Sequence, residues 1–309
     1  MKKVRRYDID WLRIILFALL IPFHVGIGVY WDAYDFVQPE HSIGDDAKRE
    51  DLNADVGEEA VNVYTFLGGG IISYILTWIH EWRLAALFMI SGMGTAFAFK
   101  RRTWKLFLKE RSKRLLIPMF VGIWTITPLT WMFILNYFPS SLIEGILAFL
   151  GFGVAMSFLM IIPLMSRLLS LGHLWFLWSL FQYSLFLLPI FYIVRNYPEG
   201  KLSRLLGSIF KIPFRLGPLI FLPIALSLSD VLLKPIMGEA IGFGYEWPWY
   251  LLMFLFGYIF IVNKEQYFEF IDNSRFQITI GTIVATLTFI WIKLKGGQTS
   301  FWYEFYFEI

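Results

Sequence analysis

The amino-terminal stretch constrains this chain more than any other. A basic head with scattered acids, residues 5–13, runs directly into an apolar segment at 14–30. A helix of that length, at about 1.5 Å of rise per residue, spans the hydrocarbon core of a bilayer. The segment contains His24, and an ionisable side chain within a span indicates a functional site by default. A hydrogen bond to a neighbouring helix explains His24 equally well.

The composition is typical of a polytopic helical membrane protein. Hydrophobic residues make up 57% of the 309 and charged residues only 17%, whereas soluble domains carry about 25% charged residues. We predict an all-α transmembrane bundle with about seven full spans plus one embedded or interfacial segment, forming a single domain over 1–309. Cysteine is absent, which excludes disulfides, thiolate metal sites and cysteine nucleophiles.

Charged residues are segregated by sign along the chain, and this segregation predicts a topology. Segment 32–59 contains ten acidic residues against two basic ones, whereas 100–114 contains eight basic residues against one acidic one. Because cytoplasmic loops are enriched in Lys and Arg, the second segment is expected inside and the first outside. The N-terminus is then cytoplasmic, most simply in a bacterial inner membrane.

The remaining apolar runs supply the other spans. We expect a helix at 71–82 that dips into the outer interface, and a basic cytoplasmic loop at 100–114. Charge also favours a re-entrant or interfacial segment at 142–165, because a full crossing would place the basic loop after residue 195 outside. The predicted full spans after the first are 84–99, 115–137, 174–194, 216–233, 247–262 and 276–292.

Polar residues at the membrane boundaries are the candidates for chemistry. Arg111 and Arg114 are three residues apart, so a helix would place both on one face, where two guanidiniums can clamp phosphates. Anchoring to anionic lipid is the alternative explanation of this pair. His80 and Arg83 share the same spacing on the acidic side. The full set of candidates is Asp10, Arg13, His24, His80, Arg83, Arg111, Arg114 and His173.

Five short motifs in order carry a resemblance to a known family. They are Asp10-Trp11-Leu12-Arg13 with Phe23-His24, His80-Glu81-Trp82-Arg83, Phe88-Met89-Ile90-Ser91-Gly92, Arg111-Ser112-Lys113-Arg114-Leu115-Leu116-Ile117-Pro118 and His173-Leu174-Trp175-Phe176-Leu177. The chain resembles the acyltransferase-3 family of integral membrane O-acyltransferases, and within it the periplasmic-glucan succinyltransferase-like branch. That family has about ten spans, so a C-terminally shortened or minimal member is expected.

The resemblance implies transfer of an acyl group from an acyl-CoA-type donor, met on the cytoplasmic side, to a carbohydrate hydroxyl. It implies that His24 is essential and that Arg83, Arg111 and Arg114 are functional. We expect His24 to act as general base, with His80 and His173 as further catalytic candidates. Asp10 and Arg13 join the arginine pair as donor-binding candidates, and no metal is needed. There are two alternatives. One is a small-molecule transporter that uses the same His and Arg residues. The other is a non-catalytic scaffold in which the histidines are structural.

Overall fold

The described part of the chain is entirely helical. The computed structural model describes residues 7–19, 71–134, 141–161, 174–211, 217–238, 244 and 246–294, and these contain helices, turns and no strand. Helices are expected because a bilayer offers no water to bond backbone N–H and C=O groups, so each segment must bond to itself. The all-α prediction is therefore confirmed for these residues.

We number the described helices in chain order. Most are apolar over most of their length, and two short ones, α7 and α10, carry a large share of polar residues. Their bounds are α1 Tyr7–Ala18, α2 Ile71–Phe99, α3 Trp104–Ile134, α4 Leu142–Ile161, α5 Trp175–Phe186, α6 Leu188–Asn196, α7 Lys201–Gly207, α8 Gly217–Met237, α9 Glu246–Val262, α10 Lys264–Asn273 and α11 Arg275–Leu294. A 3₁₀ turn, Ser208–Lys211, follows α7.

Two described helices are long and apolar enough to cross a membrane, α2 within Trp82–Phe99 and α8 over its whole length. The pair α5 and α6 makes a third span if it is counted as one bent helix, and α9 and α11 are shorter apolar helices. The predicted spans at 174–194 and 216–233 thus coincide with membrane-compatible helices. The predicted total of about seven is not confirmed.

Three segments differ from their sequence-based expectation. The structure joins 71–82 and 84–99 into the single helix α2, because no Gly or Pro separates them. The expected cytoplasmic loop 100–114 is only a short turn, since α3 begins at Trp104 and continues through two prolines. Neighbouring helices and water can satisfy the backbone groups that a proline frees. The connection between the predicted spans 247–262 and 276–292, expected from the sequence as an inner loop, contains the helix α10.

A proline explains the bend between α5 and α6. The two helices meet at Leu187 at an angle of 46°, and Pro189 stands in the first turn of α6. Its ring would collide with the carbonyl four residues earlier, and it has no N–H to donate. The helical hydrogen bonds before and after Pro189 are still formed. The Leu187 N–H donates to the Tyr183 carbonyl and the Phe191 N–H donates to the Leu187 carbonyl, both at 3.0 Å.

The chain divides into two compact units. The first comprises Met1–Leu87 and Phe276–Ile309, and the second Phe88–Arg275. In the first unit, Trp78 Nε1 donates to Thr286 Oγ1 at 3.3 Å, which links α2 to α11. Trp78 also packs edge-on against Trp82, with ring centroids 5.5 Å apart.

Ring contacts in the second unit establish the directions of its helices. Phe88, near the middle of α2, contacts Trp175 at the start of α5 with centroids 5.9 Å apart. Phe99, at the end of α2, contacts Phe191 in α6 at 5.9 Å. The second half of α2 therefore runs parallel to α5 and α6, as the charge pattern predicts for 84–99 and 174–194.

The helix α3 runs the opposite way to α5. Arg111, early in α3, bonds to Ser184 near the end of α5, whereas Gly122, further along α3, lies against Leu174 just before α5 begins. Since α3 starts where α2 ends, α3 runs back towards the side from which α5 starts. The re-entrant or interfacial character expected for 142–165 stays a prediction.

Two glycines bring α2 and α9 into backbone contact. A Cβ added at Gly92 would overlap the carbonyl oxygen of Phe254, and one added at Gly257 would overlap the carbonyl oxygen of Met89. Small residues allow such close approach, which is a main source of packing energy between helices in lipid. Around the crossing, Phe191 stacks on Tyr258 with centroids 4.1 Å apart, and Phe88 contacts Tyr250 at 4.7 Å.

We expect Gly92→Ala and Gly257→Ala each to lower the yield of folded protein, because a methyl group at either position meets backbone that cannot rotate away. Overpacking of this kind costs about 1–3 kcal/mol, or more where backbone must shift. Fluorescence-detected size-exclusion chromatography and thermal stability in detergent measure the effect. Gly281→Ala is the matched control, since a Cβ there meets nothing within 4 Å. Equal behaviour of all three variants would contradict the close crossing.

Candidate functional site

Arg111 is the predicted site residue whose surroundings the structure describes most fully. It lies two turns into α3, and its Nε donates a hydrogen bond to Ser184 Oγ on α5 at 3.0 Å. Ser184 is itself fully buried, and its hydroxyl donates to the Leu180 carbonyl at 2.7 Å. Arg111 is half-buried. A guanidinium at such a position requires partners, because desolvating a charge without compensation is costly.

Two aromatic rings also lie beside the guanidinium of Arg111. Its Cζ lies 5.9 Å from the centroid of the Phe107 ring and 5.9 Å from that of Phe254. A cation over an aromatic face is attracted by the ring quadrupole, by about 0.5–2 kcal/mol depending on desolvation. The guanidinium is thus held by a hydroxyl and by two rings, one from its own helix and one from α9.

Arg114 has different surroundings, although it lies only three residues further along α3. Its side chain is 74% exposed, and its Nη2 is 4.0 Å from Glu110 Oε2. The same carboxylate oxygen is 2.9 Å from Arg102 Nη2. Helical spacing puts both arginines on one side of α3, but their contacts differ. Arg111 bonds to Ser184 of α5, whereas Arg114 lies near Glu110 of its own helix and is exposed.

Arg195 stands out in the sequence only as the first residue of a basic stretch, 195–215. Its Nη1 donates to the Phe99 carbonyl at 3.2 Å and also to the Arg102 carbonyl. Its Cζ lies 5.5 Å from the Phe99 ring centroid. The last carbonyls of a helix have no partner within the helix, and a basic side chain can satisfy them. Arg195 therefore fixes the end of α2 and the turn that leads into α3.

The other predicted residues are described less fully. Arg83, in the first unit, is 2% exposed. His80 lies in the same helix, and Asp10 and Arg13 lie in α1, but only their backbone is described. His24 and His173 fall outside the described residues. The predicted roles of all these residues therefore stay predictions.

A second missed residue is Asp230, within the apolar helix α8. Its Oδ1 is buried and has no hydrogen-bond partner among the described residues, and the same holds for the hydroxyl of neighbouring Ser229. A carboxylate within an apolar run of membrane-spanning length is a recognisable signal. Across the described ranges, no group of three His, Cys, Asp or Glu side chains is placed to hold a metal ion.

Comparison with known families identifies the class of protein. The acyltransferase-3 family model, described as an acyltransferase domain, matches residues 6–309. The chain belongs to this family and is an acyltransferase. Its apolar helices, together with this membership, indicate an integral membrane enzyme. A comparison with curated proteins and one with solved structures each found no match.

The family predicted from five short motifs is thereby confirmed over almost the whole chain. The succinyltransferase-like branch within it stays a prediction. The geometry adds what the motifs did not contain, namely the bond from Arg111 to Ser184 and the bonds from Arg195 to the end of α2.

Proposed function

We propose that this acyltransferase moves an acyl group from an acyl-CoA-type donor to a carbohydrate hydroxyl. The observation that carries the donor assignment is the half-buried guanidinium of Arg111, fixed between α3 and α5 beside a strongly basic surface. A guanidinium binds phosphate oxygens through directed, charge-assisted hydrogen bonds. A CoA donor carries several phosphates, so it suits a basic rim with one arginine held rigidly within it.

The proposed side for donor binding is the cytoplasm. The basic residues of 100–114 lie in the turn after α2 and in the first turns of α3, at the end of the unit where Arg195 also lies. Lys and Arg accumulate on the cytoplasmic side of spans. Asp10 and Arg13, at the start of the chain, join this side under the same topology, in a bacterial inner membrane.

The proposed chemistry is direct transfer. A neutral imidazole at His24 takes the proton of the acceptor hydroxyl as its oxygen attacks the thioester carbonyl. The carbon–sulfur bond then breaks, and CoA leaves as the thiolate. General-base assistance of this kind contributes about 10²–10⁴-fold. The buried guanidinium of Arg83 is suited to stabilising the developing oxyanion or to orienting the acceptor.

We expect the purified full chain to transfer label from radiolabelled acyl-CoA to a glycan acceptor, and His24→Gln to lower the rate at least about 10²-fold without loss of assembly. Gln keeps the size of the side chain but removes its basicity. Transfer at the parental rate would shift the role of base to His80 or His173. Counterflow of a small solute without any thioester cleavage would favour transport and contradict the proposal.

The two arginines of α3 should differ in their effect on the donor. Arg111→Gln is expected to raise the KM for acyl-CoA by about 10- to 100-fold, the range for losing a hydrogen bond to a charged group. Arg114→Gln should have a smaller effect that disappears as salt increases, because exposed charges are screened.

Lys113→Gln is the matched control for this pair, since Lys113 is an exposed cation on the same turn of α3. It should leave the donor KM unchanged at moderate salt. An unchanged donor KM for Arg111→Gln would remove α3 from donor binding and leave lipid anchoring as the role of its basic residues.

Cysteine labelling tests the topology without interference from native thiols, since the chain contains no cysteine. A cysteine at Asp46 should react with an impermeant thiol reagent in intact cells. Cysteines at Thr103 and Glu199, both exposed and at the end of the unit where α2 and α6 end, should react only after the membrane is permeabilised. Opposite behaviour of Thr103 and Glu199 would contradict the parallel arrangement of α2 and α6.

A further inference from the structure

Ser184 is the polar residue that holds Arg111, and the direction of its own bonds is fixed. Its hydroxyl donates to the Leu180 carbonyl one turn back in α5. A serine hydroxyl has one proton and two acceptor lone pairs. Because the proton is directed at Leu180, the oxygen meets Arg111 as an acceptor, as the 3.0 Å bond from Nε requires.

This bond orients the guanidinium of Arg111. Because Nε donates to Ser184, that nitrogen is directed at α5 and away from any ligand of the basic surface. The rings of Phe107 and Phe254 limit rotation of the group, since each lies 5.9 Å from Cζ. A long arginine side chain otherwise loses about 2 kcal/mol of rotamer entropy when it is ordered. A side chain that is already ordered in the free protein loses less entropy when the ligand binds, and this strengthens affinity.

We propose that Ser184 is a positioning residue for donor binding: it orients the guanidinium of Arg111 so that the phosphates of the acyl donor meet a pre-organised group. This inference rests on the proposed donor role of Arg111. Helix α5 would then contribute to the affinity for the donor through Ser184, although this side chain does not contact the substrate. Ser184 is 0% exposed, so it acts through Arg111 rather than on the ligand.

The test uses the purified full chain and compares KM for acyl-CoA, KM for the glycan acceptor and kcat. Ser184→Ala should raise the donor KM about 5- to 10-fold, because the guanidinium remains and only the cost of ordering one long side chain is added to binding. The acceptor KM should not change. Ser184→Thr, which keeps the hydroxyl, should restore the donor KM to near the parental value.

Two further variants separate positioning from packing. Ser179→Ala is the matched control, because it removes another buried hydroxyl from α5 and should leave the donor KM unchanged. Ser184→Cys keeps the size of the side chain but offers only a weak acceptor. It should raise the donor KM even if the alanine variant does not assemble.

A double-mutant cycle gives the decisive result. If Ser184 acts through Arg111, then Ser184→Ala should have no further effect on the donor KM in an Arg111→Gln background. Additive effects, or an unchanged donor KM for both Ser184→Ala and Ser184→Cys while Arg111→Gln raises it, would overturn the positioning role alone. An unchanged donor KM for Arg111→Gln would instead overturn the proposed donor site, and the role of Ser184 with it.

Discussion

The second unit depends on the backbone contact between α2 and α9 at Gly92 and Gly257. Lipid tails are as apolar as leucine, so burial alone does not drive helices together within a membrane. Close approach does, because it multiplies dispersion contacts that are individually weak. Once these two helices touch, the rings around the crossing have fixed partners. Tyr183 illustrates this, since its ring packs against Phe254 and its hydroxyl donates to the Trp247 carbonyl at 2.9 Å.

The position of Arg111 is a consequence of that packing. Phe254 lies at the crossing, where a Cβ at Gly92 would overlap its carbonyl oxygen, and its ring also faces the guanidinium. Helix α5 also contacts Phe254, through the ring of Tyr183, and it supplies Ser184. The guanidinium of Arg111 is therefore positioned by helices α5 and α9, and the position of α9 is set by its close contact with α2. A shift of α9 would move one of the rings beside Arg111, which connects the stability of the unit to the geometry of the proposed donor site.

Much of the architecture is visible in the sequence because it follows from composition and charge. Apolar length predicts the helices α8 and α9 to within a few residues, and charge alone predicts that 84–99 and 174–194 run in the same direction. The ends of helices are harder to predict. Residues 80–83 resemble a boundary because charged residues usually mark the end of a span, yet nothing in that stretch disfavours a helix. Likewise, a basic stretch indicates a side of the membrane and not a loop, as α3 shows.

The details of the site could not be predicted, because they are contacts between distant parts of the chain. Arg111 and Arg114 have the same residue type and a helical spacing that makes them look equivalent. Contacts with Ser184, 73 residues further along the chain, and with the ring of Phe254 distinguish Arg111 from Arg114. Arg195 carries no local signal either, since its role is to bond to carbonyls at the end of a helix almost a hundred residues earlier. In a membrane enzyme, sequence motifs can therefore identify which residues are unusual, whereas helix packing decides which of them is rigid enough to bind a ligand with little loss of entropy.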